Sequence, residues 1–120
     1  MNEAARLLRA CVNSRDGIVR AVRTEAAVRT EVIVLAVAVP VAAAIAGTAT
    51  RFMALVGSLL VLLAVELLNT AVEKLCDRVE PERDPVIKYV KDLGSAAVTT
   101  AVILAAGVWG AVAWEIFHRG

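Results

Sequence analysis

The 120-residue chain is short of most residues that build soluble enzymes. Aromatics are 4% of it, with two Trp, two Phe and one Tyr, and there is a single histidine, His118. A lone histidine near the end of the chain supports neither an imidazole-based metal centre nor a Ser–His pair, and it reads as an interface residue. The two cysteines, Cys11 and Cys76, have no metal-ligand spacing and read as small apolar fillers near helix ends. Neither a GxxxxGK[ST] phosphate loop nor a dinucleotide fingerprint is present. Net charge is also scarce, at +1 from 13 basic and 12 acidic residues. That balance gives no continuous basic surface, and nucleic acid is not an expected partner.

Charge is replaced by apolar length. Apolar residues are 59% of the chain and charged residues 21%. A water-soluble chain of this size needs more polar surface than that. The apolar residues fall into three runs, 32–50, 52–75 and 93–117. Each is long enough to cross a hydrocarbon core of roughly 30 Å as a helix. The length fits one domain, residues 1–120, all-α and integral to a membrane. Pro40 lies inside the first run, where a membrane helix tolerates it. No apolar stretch precedes residue 32, and the first run is expected to serve as the insertion signal.

Residues 1–31 form a surface region. Within 3–23, Leu8, Cys11, Val12, Ile18, Val19 and Val22 recur every three or four positions. Arg6, Arg9, Asn13, Asp16, Arg20 and Arg23 take the other side. This is the pattern of an amphipathic helix lying on an anionic membrane surface. Residues 76–92, with Pro81 and Pro85, read as a charged loop with helical ends. The first loop holds Arg51 alone and the end of the chain Arg119, whereas both other polar regions are rich in Lys and Arg. The positive-inside rule therefore puts the N-terminus and 76–92 in the cytoplasm.

The chemistry is concentrated in the second run. Glu66, Asn69 and Glu73 stand at i, i+3 and i+7 and share one helix face. Acids inside a spanning segment are costly, and they are usually functional or paired. Glu73 precedes Lys74, Asp77 and Arg78 and lies near the aqueous surface. Glu66 is about 10 Å deeper along the axis. Such a pair suits a reaction between a water-soluble donor and a membrane-soluble acceptor. Glu25 and Glu31 before the first run, and Lys91 and Asp92 before the third, add carboxylates and cations at the same face. Carboxylates hold Mg²⁺ on phosphate oxygens, and Lys or Arg offsets phosphoryl charge. Taken alone, Arg29 and Glu31 read as partners in interfacial ion pairs. Gly94, Ser95 and Ala96 read as small residues that let helices approach closely.

Four stretches carry a family resemblance: Glu25-Ala26-Ala27-Val28-Arg29-Thr30-Glu31, Val65-Glu66-Leu67-Leu68-Asn69-Thr70-Ala71-Val72-Glu73, Asp77-Arg78, and Lys91-Asp92-Leu93-Gly94-Ser95-Ala96-Ala97-Val98. With them the chain resembles the bacterial diacylglycerol kinase family of small integral-membrane kinases. The resemblance covers nearly the whole chain. It implies a homotrimer in the bacterial inner membrane, with active sites shared between neighbouring subunits. It also implies phosphoryl transfer from MgATP to diacylglycerol, giving phosphatidic acid. In that comparison Glu66 looks like the base on the lipid hydroxyl, and Glu25 and Glu73 like metal ligands. Asn69 and Lys91 look like catalytic groups that contact or orient the phosphates. Arg6, Glu31, Glu66 and Asn69 fall to the lipid side, and Arg6, Glu25, Glu73, Lys91 and Asp92 to the nucleotide. The chain departs from the best-known form at Asn13 and Arg15, where that form carries an aromatic and a tryptophan. A related branch phosphorylates undecaprenol, but Arg29-Thr30-Glu31 and Gly94 to Val98 look more like the diacylglycerol branch. A non-enzymatic membrane scaffold, its acids serving only to join helices, is the contrasting expectation.

Overall fold

The computed structural model describes residues 2–80 and 82–118. Arg119 and Pro81 lie outside the described residues. The described residues form four helices in sequence, α1 (Glu3–Thr24), α2 (Ala26–Ile45), α3 (Ala49–Val79) and α4 (Pro85–His118). The last three are long and apolar enough to cross a membrane. Only 17% of the apolar window of α2, 33% of that of α3 and 17% of that of α4 is buried within the chain. Side chains such as Ile33, Val37, Leu68 and Ile103 are exposed. Water does not tolerate that much apolar surface, and the helices form a membrane bundle.

Each helix starts and stops for a local reason. Asn2 opens α1 by accepting the Ala5 N–H on Oδ1 at 2.9 Å. Glu25 adopts an extended conformation (φ −117°, ψ 112°) and separates α1 from α2. That break leaves the last carbonyls of α1 without helical donors. Arg29 supplies donors, from Nε to the Val22 carbonyl at 3.0 Å and from Nη2 to the Arg23 carbonyl at 3.2 Å. Arg29 is thus a cap for α1, and not the ion-pair partner its acidic neighbours suggest. Between α2 and α3 the chain turns at Gly47, whose φ of 75° favours glycine. Thr48 then caps α3 by accepting the Arg51 N–H at 3.2 Å. Asp84 opens α4 through bonds from the Val86 and Ile87 N–H groups at 2.8 and 3.1 Å, with Pro85 at the first helical position.

With 31 and 34 residues, α3 and α4 run about 46 and 51 Å, well past a core of roughly 30 Å. Helical structure therefore extends into 76–92 from both sides, with α3 reaching Val79 and α4 starting at Pro85.

α3 is the centre of the bundle and packs against both α2 and α4. At the end away from the charges, Ala42, Ala46, Leu55, Val56 and Val112 form a buried cluster flanked by Phe52, Trp109 and Ile116. The Trp109 indole N–H donates to the Leu55 carbonyl at 3.1 Å. Arg51 bridges Glu115 at 3.0 Å and reaches the Ala46 carbonyl at 3.5 Å, so one side chain joins the ends of three helices. His118 stacks on Trp114 with ring centroids 3.7 Å apart. Of the two cysteines, Cys76 is a buried filler, but Cys11 is exposed in the middle of α1. The difference arises because the apolar stripe of α1 is left uncovered by the rest of this chain.

Candidate active site

The site is built outward from α3. Its helical spacing puts Glu66, Asn69 and Glu73 on the face turned toward the other helices. Glu66 and Asn69 are buried, and Glu73 is exposed. The stripe thus runs from the interior to an exposed end. Asn69 donates through Nδ2 to Glu73 Oε1 at 3.1 Å, which ties the middle of the stripe to its outer end. The opposite side of the carboxamide lies against Gly94 on α4. A Cβ at position 94 would run into Asn69 Oδ1. Of the three small residues at the start of the third apolar run, Gly94 is the one that makes this close approach.

α2 adds Glu31. It is half-buried, and its Oε2 has no hydrogen-bond partner. The Glu31 and Glu66 carboxylates lie within Coulombic range of each other, as do those of Glu66 and Glu73. Val28, fully buried one turn before Glu31, fixes this part of α2 in place.

Glu25 sits at the break between α1 and α2, and its carboxylate pairs with Lys74 on α3 at 2.8 Å. Lys74 is also within Coulombic range of Glu73 and Asp77. Beside this group, an open cleft of about 480 Å³ between α1 and α3 is lined by Arg20, Thr24, Glu25, Thr70 and Lys74. Lys91 on α4 pairs with Asp77 on α3 at 2.7 Å and stands within Coulombic range of Glu73. Both ammonium groups therefore border the outer part of the acid stripe.

The fold brings together Glu25, Glu31, Glu66, Asn69, Glu73 and Lys91 at one end of the bundle. Two other residues named from the sequence stand apart. Arg6 is exposed near the start of α1 and pairs with Glu3 at 2.6 Å. Asp92 is exposed and pairs with Lys88 at 2.7 Å. Two residues gain a place that the sequence reading did not give them. Lys74 balances Glu25, and Asp77 anchors Lys91. Their signal was position, directly after Glu73 and one turn beyond it.

Among the described residues no three or more Asp, Glu, His or Cys side chains converge on one point. Mg²⁺ does not need such a cage, since it is commonly held by one or two carboxylates together with substrate phosphates. Glu25 pairs with Lys74, which also feels the charge of Glu73, and these two acids are the ones at this end that could hold such an ion.

Comparison with known proteins identifies the lineage. The family model described as prokaryotic diacylglycerol kinase matches residues 12–113. Similar proteins include the diacylglycerol kinase of Escherichia coli strain K12, 34% identical over 112 residues, covering 93% of this chain and 92% of that one. The diacylglycerol kinase of Pseudomonas aeruginosa is 37% identical over 107 residues, covering 89% and 87%. That of Haemophilus influenzae is 33% identical over 99 residues, covering 82% and 84%. With a match across most of its length and its acids gathered at one end of a three-span bundle, the chain belongs to the prokaryotic diacylglycerol kinase family.

Proposed function

We propose that the protein transfers the terminal phosphoryl group of MgATP to the hydroxyl of 1,2-diacylglycerol, giving phosphatidic acid and ADP. The observation that carries this reading is the buried Glu66 at the inner end of a polar string that reaches water through Asn69 and Glu73. A lipid hydroxyl reaches Glu66 from the bilayer side. A nucleotide phosphate reaches Glu73 from the aqueous side.

In this reading Glu66 is the general base. Its carboxylate takes the hydroxyl proton as the lipid oxygen bonds to the terminal phosphorus. The bond from that phosphorus to the bridging oxygen breaks, and ADP leaves with the electron pair. Asn69 orients the outer carboxylate and the phosphate chain. Lys91 lowers the cost of negative charge on the phosphoryl oxygens. Glu25 and Glu73 are the residues that would hold Mg²⁺, which when bound offsets charge on the phosphate oxygens. Lys74 limits the repulsion between those two acids. Glu31 sits beside Glu66 on the lipid side.

Arg6 and Asp92 act from outside this single-chain site. We assign Arg6 to the site of a neighbouring subunit in a homotrimer. Its position at the far end of α1 from Glu25 is consistent with such a reach. The charged end of the bundle faces the cytoplasm of a bacterium, at the inner membrane.

The test is turnover by the purified protein in mixed micelles with MgATP and either diacylglycerol or undecaprenol, comparing wild type with Glu66→Gln. Glutamine keeps the size but cannot accept the proton. The expected loss is roughly 10²- to 10⁴-fold in kcat, with nucleotide affinity and oligomer state unchanged. Preference for undecaprenol overturns the substrate, and near-normal turnover of Glu66→Gln removes it as the base. A folded wild-type oligomer that phosphorylates neither lipid returns the acids to a scaffold role.

A further inference from the structure

Glu25 already holds a cation of the chain's own. It sits half-buried at the extended break between α1 and α2, and the Lys74 ammonium lies 2.8 Å from its carboxylate. Lys74 directly follows Glu73, and a turn of about 100° along α3 takes it off the face of the acid stripe. It is also within Coulombic range of Glu73, so one ammonium serves both acids assigned above to a divalent cation. Lys91 is placed differently. Its partner at 2.7 Å is Asp77, which is neither of those acids. Lys74 borders an open cleft of about 480 Å³, which Arg20, Thr24 and Thr70 line with it. Its side chain is 67% exposed, so the ammonium has room to leave the carboxylate without any shift of the helices.

We propose that Lys74 is a positioning residue whose ammonium stands in for the metal ion at Glu25, so that the site discriminates against a divalent cation that comes without nucleotide. The inference rests on the assignment of Glu25 and Glu73 as the metal ligands. A free cation has to displace the ammonium and leave it unpaired beside a double positive charge. A cation carried by a nucleotide brings phosphate oxygens that receive the displaced ammonium in a charge-assisted contact. An ion pair this exposed corresponds to a factor of about five in affinity at most, and it yields to such an exchange. Arg20 adds a second positive charge to the cleft into which the ammonium turns.

The probe is Mn²⁺ alone, titrated into the purified, nucleotide-free oligomer, with the unbound ion measured by electron paramagnetic resonance. Lys74→Met is expected to tighten Mn²⁺ binding by about fivefold, because no pair has to be broken. Lys74→Arg is expected to weaken it, since a guanidinium grips a carboxylate with two N–H groups. The gain in Lys74→Met should vanish when a non-hydrolysable ATP analogue is present. It should also vanish on a Glu25→Gln background, where the carboxylate to be freed is absent. Lys88→Met removes the same charge from the exposed pair with Asp92 and should leave Mn²⁺ binding unchanged. If Lys74 served only to hold α1 to α3, Lys74→Met would weaken Mn²⁺ binding. That sign overturns the proposal, and so does an equal gain in Lys88→Met or an undiminished gain beside Glu25→Gln. Mn²⁺ binding that Glu25→Gln alone leaves untouched removes Glu25 as a ligand, and the proposal with it. The expected pattern in a wild-type protein that phosphorylates no lipid sinks the kinase reading and leaves the role of Lys74 standing.

Discussion

Asn69 lies against Gly94, with its Oδ1 too close to admit a Cβ on that residue. The same carboxamide donates to Glu73 on its other side. One side chain is therefore wedged between a bare stretch of α4 and an acid of the candidate active site. The glycine matters here for the space it leaves.

Gly94→Ala should thus act through Asn69. The added methyl forces the carboxamide to turn or α4 to back away. Overpacking of this kind costs about 1–3 kcal/mol. If the strain is relieved by moving Asn69 away from Glu73, turnover falls, each tenfold of that fall standing for about 1.4 kcal/mol of lost transition-state stabilisation. The folded oligomer should survive. Combining it with Asn69→Ala should add little further loss of turnover, because the displaced group is already absent. Wild-type turnover in Gly94→Ala would mean that the Asn69–Glu73 contact has no part in the reaction.

Glu73→Gln and Glu25→Gln should shift the Mg²⁺ requirement. Each removes a charge and changes an oxygen donor to one that binds Mg²⁺ less well. A titration of turnover against Mg²⁺ should show a higher half-saturation for both variants, with oligomer size by gel filtration unchanged. An unmoved titration with full turnover rules out the ligand role. Lys74→Met should act differently, leaving Glu25 and Glu73 to repel one another and weakening the contact of α1 with α3.

The far end of the bundle is tied by Arg51 and Glu115. The pair is half-exposed at Glu115, and an exposed pair contributes about 0.2–1 kcal/mol. Glu115→Gln should lower thermal stability by no more than that. Arg51→Ala should cost more, because Arg51 also donates to the Ala46 carbonyl. Neither change should alter kcat, since the pair sits at the opposite end from Glu66. A fall in kcat without loss of stability would contradict this separation.

Orientation is open to a direct check. In a background without Cys11 and Cys76, a cysteine at position 84 should be shielded from a membrane-impermeant thiol reagent in intact cells. A cysteine at position 48, in the turn between α2 and α3, should react. Strong labelling at 84 reverses the topology.

The parts of this protein that follow from local geometry are legible in its sequence. Three apolar runs are each long enough to span a bilayer, and the structure has three long apolar helices there. The spacing of Glu66, Asn69 and Glu73 puts them on one face of any α-helix, whatever surrounds it. The four quoted stretches carried the family resemblance, and the match over residues 12–113 establishes it. These features depend on backbone periodicity, on length and on residue identity, all fixed along the chain.

What the tertiary structure alone decided is which side chains meet across helices. Arg29 stands between two glutamates in the sequence, yet it caps α1, because the chain breaks at Glu25 and leaves two carbonyls within its reach. Lys74 on α3 meets Glu25 at the break between α1 and α2, while Lys91 meets Asp77 and Arg51 meets Glu115 across different helices. Gly94 meets Asn69 for the same kind of reason. Successive residues turn by about 100° around a helix, so a small change in rotation or crossing angle exchanges one partner for another. Sequence sets the face of each helix, and packing sets what that face touches.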